Sequence, residues 1–404
     1  MIHRRFFGMA ASAALLIGAC GSGAGGSPSP SMITALGAGE GAVTSLNWAG
    51  YVENGSTYKE YDWVTQFEKE SGCKVTAKVF GTSDEAYAAM TATPEQFDVI
   101  SASGDAAKRL ATGGYVQPVN VALVPNYADI FPALKDRPWN TFNGVHYGIP
   151  HGRGANLLMW RPDKVTPAPT KWAVMFDPSQ PFAGKVSVYD APIYIADAAV
   201  VLMKSKPELG ITNPYALDQK QFDAAVALLT VQRPMVSQHW VDYTKQIEAF
   251  AQGDATIGTT WQINANLLRS GDPATEVEAI KPAEGSTGWS DTWMINSKTK
   301  HPNCAYMFIN HIVSPVTNAA IADYFGEAPA NSKSCTLTPA EFTPTISVTT
   351  TMADHCALFH AAEDDFWKDV YYWTTPEVAC IDGRTDVKCV GFDKWIEAWI
   401  KIKG

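Results

Sequence analysis

The sequence predicts an α/β fold of parallel sheet layers, and three observations predict it. Strand-like and helix-like segments alternate along the chain, an order that builds parallel strands with helices packed on their faces. The alternation starts twice, once near residue 46 and again near residue 148. The 404 residues are 46% hydrophobic and only 18% charged, which is length and apolar surface enough for two globular cores.

The elements follow in order. Residues 46–51 form a short strand, and 58–71 a helix with Tyr61, Val64 and Phe67 on one face and Gly72 as its stop. Residues 74–80 alternate as a strand, 85–93 are helical, 97–101 form a buried strand, and 106–112 form a helix ended by Gly113-Gly114. In the second series 185–189 is a strand, 193–204 and 222–232 are helices, and a helix at 245–252 leads into a strand at 255–260. Residues 303–313 and 316–325 form a helical pair separated by Pro315. The helix 393–402 closes the chain, with Trp395 and Trp399 one turn apart. No repeat at solenoid spacing is present.

The N-terminus reads as an export signal. Arg4 and Arg5 precede a short apolar run at 9–19, and Ile17-Gly18-Ala19-Cys20 matches the box before a lipidated cysteine in bacterial lipoproteins. Arg4-Arg5-Phe6-Phe7-Gly8 fits a twin-arginine signal as well as a plain basic one. Residues 1–19 are therefore a signal peptide, Cys20 carries a lipid anchor, and 20–43 is a tether rich in Gly, Ser and Pro. The protein is placed outside the cytoplasm, on the periplasmic side or outer face of a membrane.

Loss of residues 1–19 removes two arginines and takes the net charge from −10 to −12, which argues against a nucleic-acid partner. Six cysteines remain after Cys20, and an even number in an exported chain suggests disulfides. Cys380 and Cys389 flank Asp382-Gly383-Arg384, a turn signal, and are the best local pair. Close metal-ligand pairs such as CxxC or HxxxH are missing, so no metal site is expected. GxSxG, HExxH, phosphate-loop and dinucleotide patterns are missing too, so neither an enzyme nor a cofactor is expected.

At Asn47-Trp48-Ala49-Gly50-Tyr51 the chain begins to resemble the solute-binding proteins of spermidine/putrescine ABC importers. The resemblance continues through residues 97–103 (FDVISAS), 144–150 (GVHYGIP), 253–261, Trp289-Ser290-Asp291 and Ala328-Pro329-Ala330-Asn331, and covers roughly 44–335. It implies a two-lobed type II periplasmic-binding-protein fold with the ligand between lobes, GVHYGIP being a strand that crosses between them. Lobe one would hold 44–152 and 285–334, and lobe two 153–284 and 335–404. It also implies a monomer that hands a small-molecule amine to a membrane permease.

The family grips a polyamine by stacking its methylenes on aromatic rings and pairing its ammonium groups with carboxylates. Trp48, Tyr51, Ser103, Trp261, Trp289 and Asp291 fall on its binding positions, and Asp190 falls near an acidic one. Trp261 takes the stacking role and Asp291 the ammonium-pairing role. Three departures matter: Asp105 stands where an aromatic residue is expected, Ile193 where a second acid is, and Glu327 where a tyrosine is. Core packing competes for Trp261, and helix N-capping for Asp190. Arg153, between Gly152 and Gly154, could fork onto a carboxylate or form an interlobe or surface ion pair. A cleft-facing Arg153 points to an ω-amino acid rather than a diamine, and another small cation is a further alternative ligand. Tyr371-Tyr372 admits ferric iron on the same fold, although residues 366–373 read better as an aromatic packing stretch.

Overall fold

Runs of residues buried on every position mark the inner strands of the computed structural model, which describes residues 32–346 and 348–404. Val99–Ala102, Leu157–Trp160, Val186–Tyr189, Ile257–Thr260 and Thr292–Asn296 bury every residue, as sheets covered on both faces require. The expected signal at 1–19, Cys20 and the tether as far as residue 31 lie outside the described residues.

The first large sheet runs Lys74–Phe80, Ala42–Trp48, Val99–Ala102, Thr292–Asn296, Val116–Gln117, with Gly148–Pro150 also on Thr292–Asn296. Its first three strands are parallel, from Ala42↔Lys74 to Trp48↔Phe80 and with Leu46↔Ile100. Lys74–Phe80 is the edge strand, and its exposed lysines blunt that edge. The second runs Val236–Trp240, Val186–Tyr189, Ile257–Thr260, Leu157–Trp160, Glu278–Ile280, its first three strands again parallel. Each sheet is the centre of one lobe of a type II periplasmic-binding-protein fold.

A third sheet joins them, in the order Ala328–Pro329, Gly152–Ala155, Ser286–Trp289, Val370–Tyr372. The chain leaves lobe one through Gly148–Pro150, passes along Gly152–Ala155 and enters lobe two at Leu157–Trp160. It returns from Glu278–Ile280 through Ser286–Trp289 to Thr292–Asn296. The two passages lie antiparallel, with Gly288 opposite Ala155. The expected single strand over 144–150 is therefore corrected. Asn143 and Gly144 both take positive φ, 52° and 75°, which makes a tight hairpin between Thr141–Phe142 and Val145–His146. Only Gly148–Pro150 continues toward the crossing.

The predicted helices form with shifted ends. The helix expected over 58–71 is Val64–Ser71, because the Asp62 carboxylate accepts the Thr65 N–H at 2.8 Å and starts the helix there. The 222–232 helix begins earlier, as Gln219–Gln232, where Asp218 and Gln221 form a capping box. The strand expected at 46–51 is Ala42–Trp48. Val236–Trp240 has no counterpart among the predicted strands.

The tail does not join lobe two as a whole, which corrects the expectation for 335–404. Its first part packs on lobe-one elements: Thr345 and Ile346 donate backbone N–H groups to Asp323, and Tyr61 donates its phenol to Asp323 and meets Thr345. The strand Val370–Tyr372 then lies parallel beside Ser286–Trp289. Further on, Thr375 donates to the Asp105 carbonyl and Lys108 pairs with Glu377 at 2.7 Å, both on the lobe-one helix Gly104–Thr112. The last helix, Phe392–Lys403, docks on lobe two, with Trp395 5.7 Å from Phe222 and Trp399 5.7 Å from Tyr194. Disulfides link Cys73–Cys304, Cys335–Cys356 and the expected pair Cys380–Cys389. No helix among the described residues is long and apolar enough to cross a membrane.

Candidate functional site

Five strands of the two large sheets deliver side chains from their carboxyl ends. Trp48 ends Ala42–Trp48, Ser103 follows Val99–Ala102, Asp190 follows Val186–Tyr189, Trp240 ends Val236–Trp240, and Trp261 follows Ile257–Thr260. Carboxyl ends of parallel strands are where open α/β sheets hold ligands, since the connecting loops diverge there. Trp48, Phe80 and Glu85 from lobe one meet Asp242, Tyr243 and Trp261 from lobe two around a cavity of about 330 Å³. A smaller space of about 30 Å³ shares Trp48 and Trp261 with it, and adds Asp105, Tyr189, Asp190, Trp240 and Trp373.

The walls are aromatic. Trp48 meets Phe80 edge-on at 4.6 Å, Trp240 meets Trp261 at 5.1 Å, and Tyr189 lies 5.5 Å from Trp373. Such rings offer negative faces to a cation and flat surface to its methylenes. The indole N–H groups of Trp48, Trp240 and Trp373 are buried without a hydrogen-bond partner among the described residues. The Trp261 indole, in contrast, donates to Asn156 at 3.0 Å, which fixes the orientation of its ring.

Two carboxylates lie in the same space. Asp105 is 2% exposed and accepts from Ser83 at 2.9 Å. Burial pushes its carboxyl up to about 6, against the pull of the nearby Arg109 charge. Asp190 caps no helix; its oxygens accept from the Trp399 indole and the Lys403 ammonium, each at 2.8 Å. Behind Tyr189, Asp197 accepts from the Tyr189 phenol and from Thr287 at 2.9 Å. Burial pushes Asp197 up to about 7 although those hydrogen bonds favour its ionised form.

The other candidates gather elsewhere. Tyr51, Ser103, Asp291 and Glu327 are at most 2% exposed, and none lines either cleft cavity. The Tyr51 phenol donates to Asp291 at 2.7 Å and lies 3.3 Å from Glu327, while Ser103 donates to the other Asp291 oxygen. His151 Nδ1 accepts from the Trp293 indole at 2.9 Å, so a neutral ring carries its proton on Nε2. That nitrogen stands 3.1 Å from Glu327 Oε1 but is not aligned for a hydrogen bond. Burial pushes Asp291 up to about 6, opposed by the Ser103 and Tyr51 bonds and helped by the Glu327 charge.

Trp289 and Arg153 belong to a different chamber, bordered also by Trp261. The glycines around Arg153 are explained by close approach. A Cβ on Gly152 would stand 2.4 Å from the Glu327 carboxyl carbon, and one on Gly154 2.3 Å from the Trp289 ring. Among the described residues Arg153 makes neither a surface nor an interlobe ion pair; it donates to the Ala361 carbonyl and the Tyr372 phenol. Tyr372 stacks on Trp139 at 4.5 Å. Among the described residues the one cluster with three potential metal ligands is Cys380, Asp382 and Cys389, whose two sulfurs are bonded to each other and offer no thiolate.

Tyr189, Trp240 and Trp373 were not among the sequence candidates. A strand between the helices at 222–232 and 245–252 is what a parallel α/β order demands, and it would have found Trp240. Trp373 was hidden in the aromatic run read as packing.

Known proteins share the family and the fold of this chain. The profile of the bacterial extracellular solute-binding proteins matches residues 62–348. The spermidine/putrescine-binding periplasmic protein of Escherichia coli (strain K12) is 24% identical over 296 residues, 71% of this chain and 81% of that protein. A solved structure titled a spermidine/putrescine ABC transporter from Listeria monocytogenes superposes with a TM-score of 0.70 at 20% identity, covering 90% of this chain and 99% of that one. The TpPotD lipoprotein of Treponema pallidum superposes with a TM-score of 0.67 at 16% identity, covering 90% and 99%.

Proposed function

The chain belongs to the bacterial extracellular solute-binding proteins, and from that premise we propose that it captures a small amine-bearing solute, a polyamine such as putrescine or spermidine, between its lobes. The observation that carries this reading is the convergence of Trp48 and Asp105 from one lobe with Asp190, Trp240 and Trp261 from the other around one space. Rings take the methylenes and a cation face, and the carboxylates take the ammonium groups. The relatives named for polyamines support the ligand class.

Capture works as a trap. Ligand bridging both lobes favours the closed arrangement by its preference for that state, and the closed form docks on an ABC permease that imports the solute. Parting the lobes brings Asp291 and Glu327 within reach of an entering ammonium. Lobe one is 44–152 and 285–334 with the first part of the tail, and lobe two is 153–284 with its last part. The chain works as a monomer and transforms nothing chemically. A lipid on Cys20 holds it at the outer face of the membrane and raises its effective concentration near the permease. The Ile17-Gly18-Ala19-Cys20 box is what supports that anchor.

A second reading, an ω-amino acid, is favoured by the three unpartnered indole N–H groups, which would donate to a carboxylate on the ligand. Isothermal titration with putrescine, spermidine and 4-aminobutyrate separates the two. The first reading expects putrescine or spermidine to bind at least tenfold more tightly than 4-aminobutyrate, and Trp261→Ala to weaken that binding at least tenfold. No binding of either polyamine overturns it.

A further inference from the structure

A second chamber, of about 400 Å³, lies between the strand Gly152–Ala155, the strand Glu278–Ile280 and residues 358–367 of the tail. It differs in charge from the interlobe cleft. No aspartate or glutamate lines it, whereas Arg153 and Lys281 do, among the rings of Trp261, Trp289, Phe366 and Trp367.

Arg153 is 2% exposed. Its guanidinium has a carbonyl partner at 2.7 Å and a phenol at 3.2 Å, and it lies 4.1 Å over the Trp367 ring. Its Nε has no partner among the described residues, nor has the buried indole N–H of Trp289. Lys281 donates to the Phe366 carbonyl and stands 4.7 Å over the Phe366 ring. Neutral oxygens and ring faces therefore serve these two cations where carboxylates would normally stand. An arginine cannot shed its charge on burial, and neutral oxygens with a ring face offset less of its desolvation than a paired anion does. The guanidinium fork fits a planar carboxylate, and the rings fit a flat apolar body.

We propose that this chamber binds a small organic carboxylate with an apolar body, its carboxylate taken by Arg153 and Lys281 and its body lying against Trp289 and Trp261. The chamber lies beside the interlobe cleft, shares the Trp261 ring with it as a common wall, and does not rest on the amine reading. Lys281 reaches the chamber from the strand end and Arg153 from the interlobe passage, so an occupied chamber ties the tail to that passage.

The test is calorimetric titration of the intact protein with benzoate, phenylacetate and hexanoate, with phenylacetamide as the uncharged control. The expected result is saturable binding of at least one carboxylate, at least tenfold weaker for its amide. Arg153→Gln and Lys281→Met, each checked for folding by circular dichroism, should each lower the affinity at least tenfold. If Arg153→Gln does not fold, the more exposed Lys281→Met reads the same loss. No binding across the carboxylate panel, or wild-type affinity in the folded variants, overturns the proposal. Diamine titration is run in parallel: binding of diamines without carboxylates overturns this site alone, and binding of carboxylates without diamines overturns the amine reading alone.

Discussion

At the scale of single residues, buried carboxyl groups make the protein sensitive to pH, and Asp105 and Asp197 act in opposite ways. Asp105 ionises near pH 6, and pairing with an ammonium requires its charged form. Affinity for putrescine should therefore fall about tenfold from pH 7 to pH 5, and Asp105→Asn should bind weakly at both with little slope. A flat wild-type profile in titration calorimetry would count against Asp105 as a ligand contact. Asp197 has the opposite consequence for stability. Its carboxyl is raised to about 7, while an unfolded aspartate titrates near about 4. Between those values the folded chain keeps a proton the unfolded chain has released, so the stability contributed by Asp197 falls as pH rises through that window. The melting temperature of wild type minus that of Asp197→Asn should decline from pH 4 to pH 7.5; a constant difference would show that Asp197 is not the group responsible.

At the scale of elements, legibility followed local pattern. Val186–Tyr189 and Ile257–Thr260 were readable because β-branched residues recur in both, as Val-Ser-Val-Tyr and Ile-Gly-Thr-Thr. Val236–Trp240 was not, because Ser237, Gln238 and His239 interrupt it and Gln238 is occupied in accepting from Ser187. Trp240 was lost with its strand. The acid cluster was beyond any local pattern, since Tyr51 is separated from Asp291 by 240 residues and from Glu327 by 276. The resemblance picked those residues out but not their burial, which depends on packing that no short motif reports. Gly154 was legible only as a neighbour of Arg153, although its lack of a Cβ is what admits the Trp289 ring. Gly154→Ala should destabilise the protein by ~1–3 kcal/mol in urea denaturation, through displacement of that ring.

At the scale of the whole molecule, the strand–helix alternation that starts twice made two α/β units legible and the resemblance joined them into two lobes, yet the route of the tail was not legible. Residues 335–404 touch lobe one, the joining sheet and lobe two in turn, and no periodicity announces such a path. Disulfides brace both ends of the fold. Cys73–Cys304 closes a separation of 231 residues between the start of the edge strand and the helix Pro302–Ile312. Replacing both cysteines by serine should cost ~2–5 kcal/mol, read from the urea midpoint against the wild type. An unchanged midpoint would show that the surrounding core holds these elements without the link.

The strand Val370–Tyr372 beside the returning passage means that three stretches of chain, not two, bend when the lobes part. Each added strand makes the hinge stiffer, and a stiffer hinge opens less often. The cost of that geometry falls on kinetics. Loading and unloading should both be slow, and the dwell time of a captured molecule long. A stopped-flow release experiment on Lys108→Ala, which removes one of the tail's ties to lobe one, should show faster escape than the wild type; an unchanged release rate would show that this tie does not slow the hinge. Such a trap suits a scarce nutrient taken up singly and held until it is handed on.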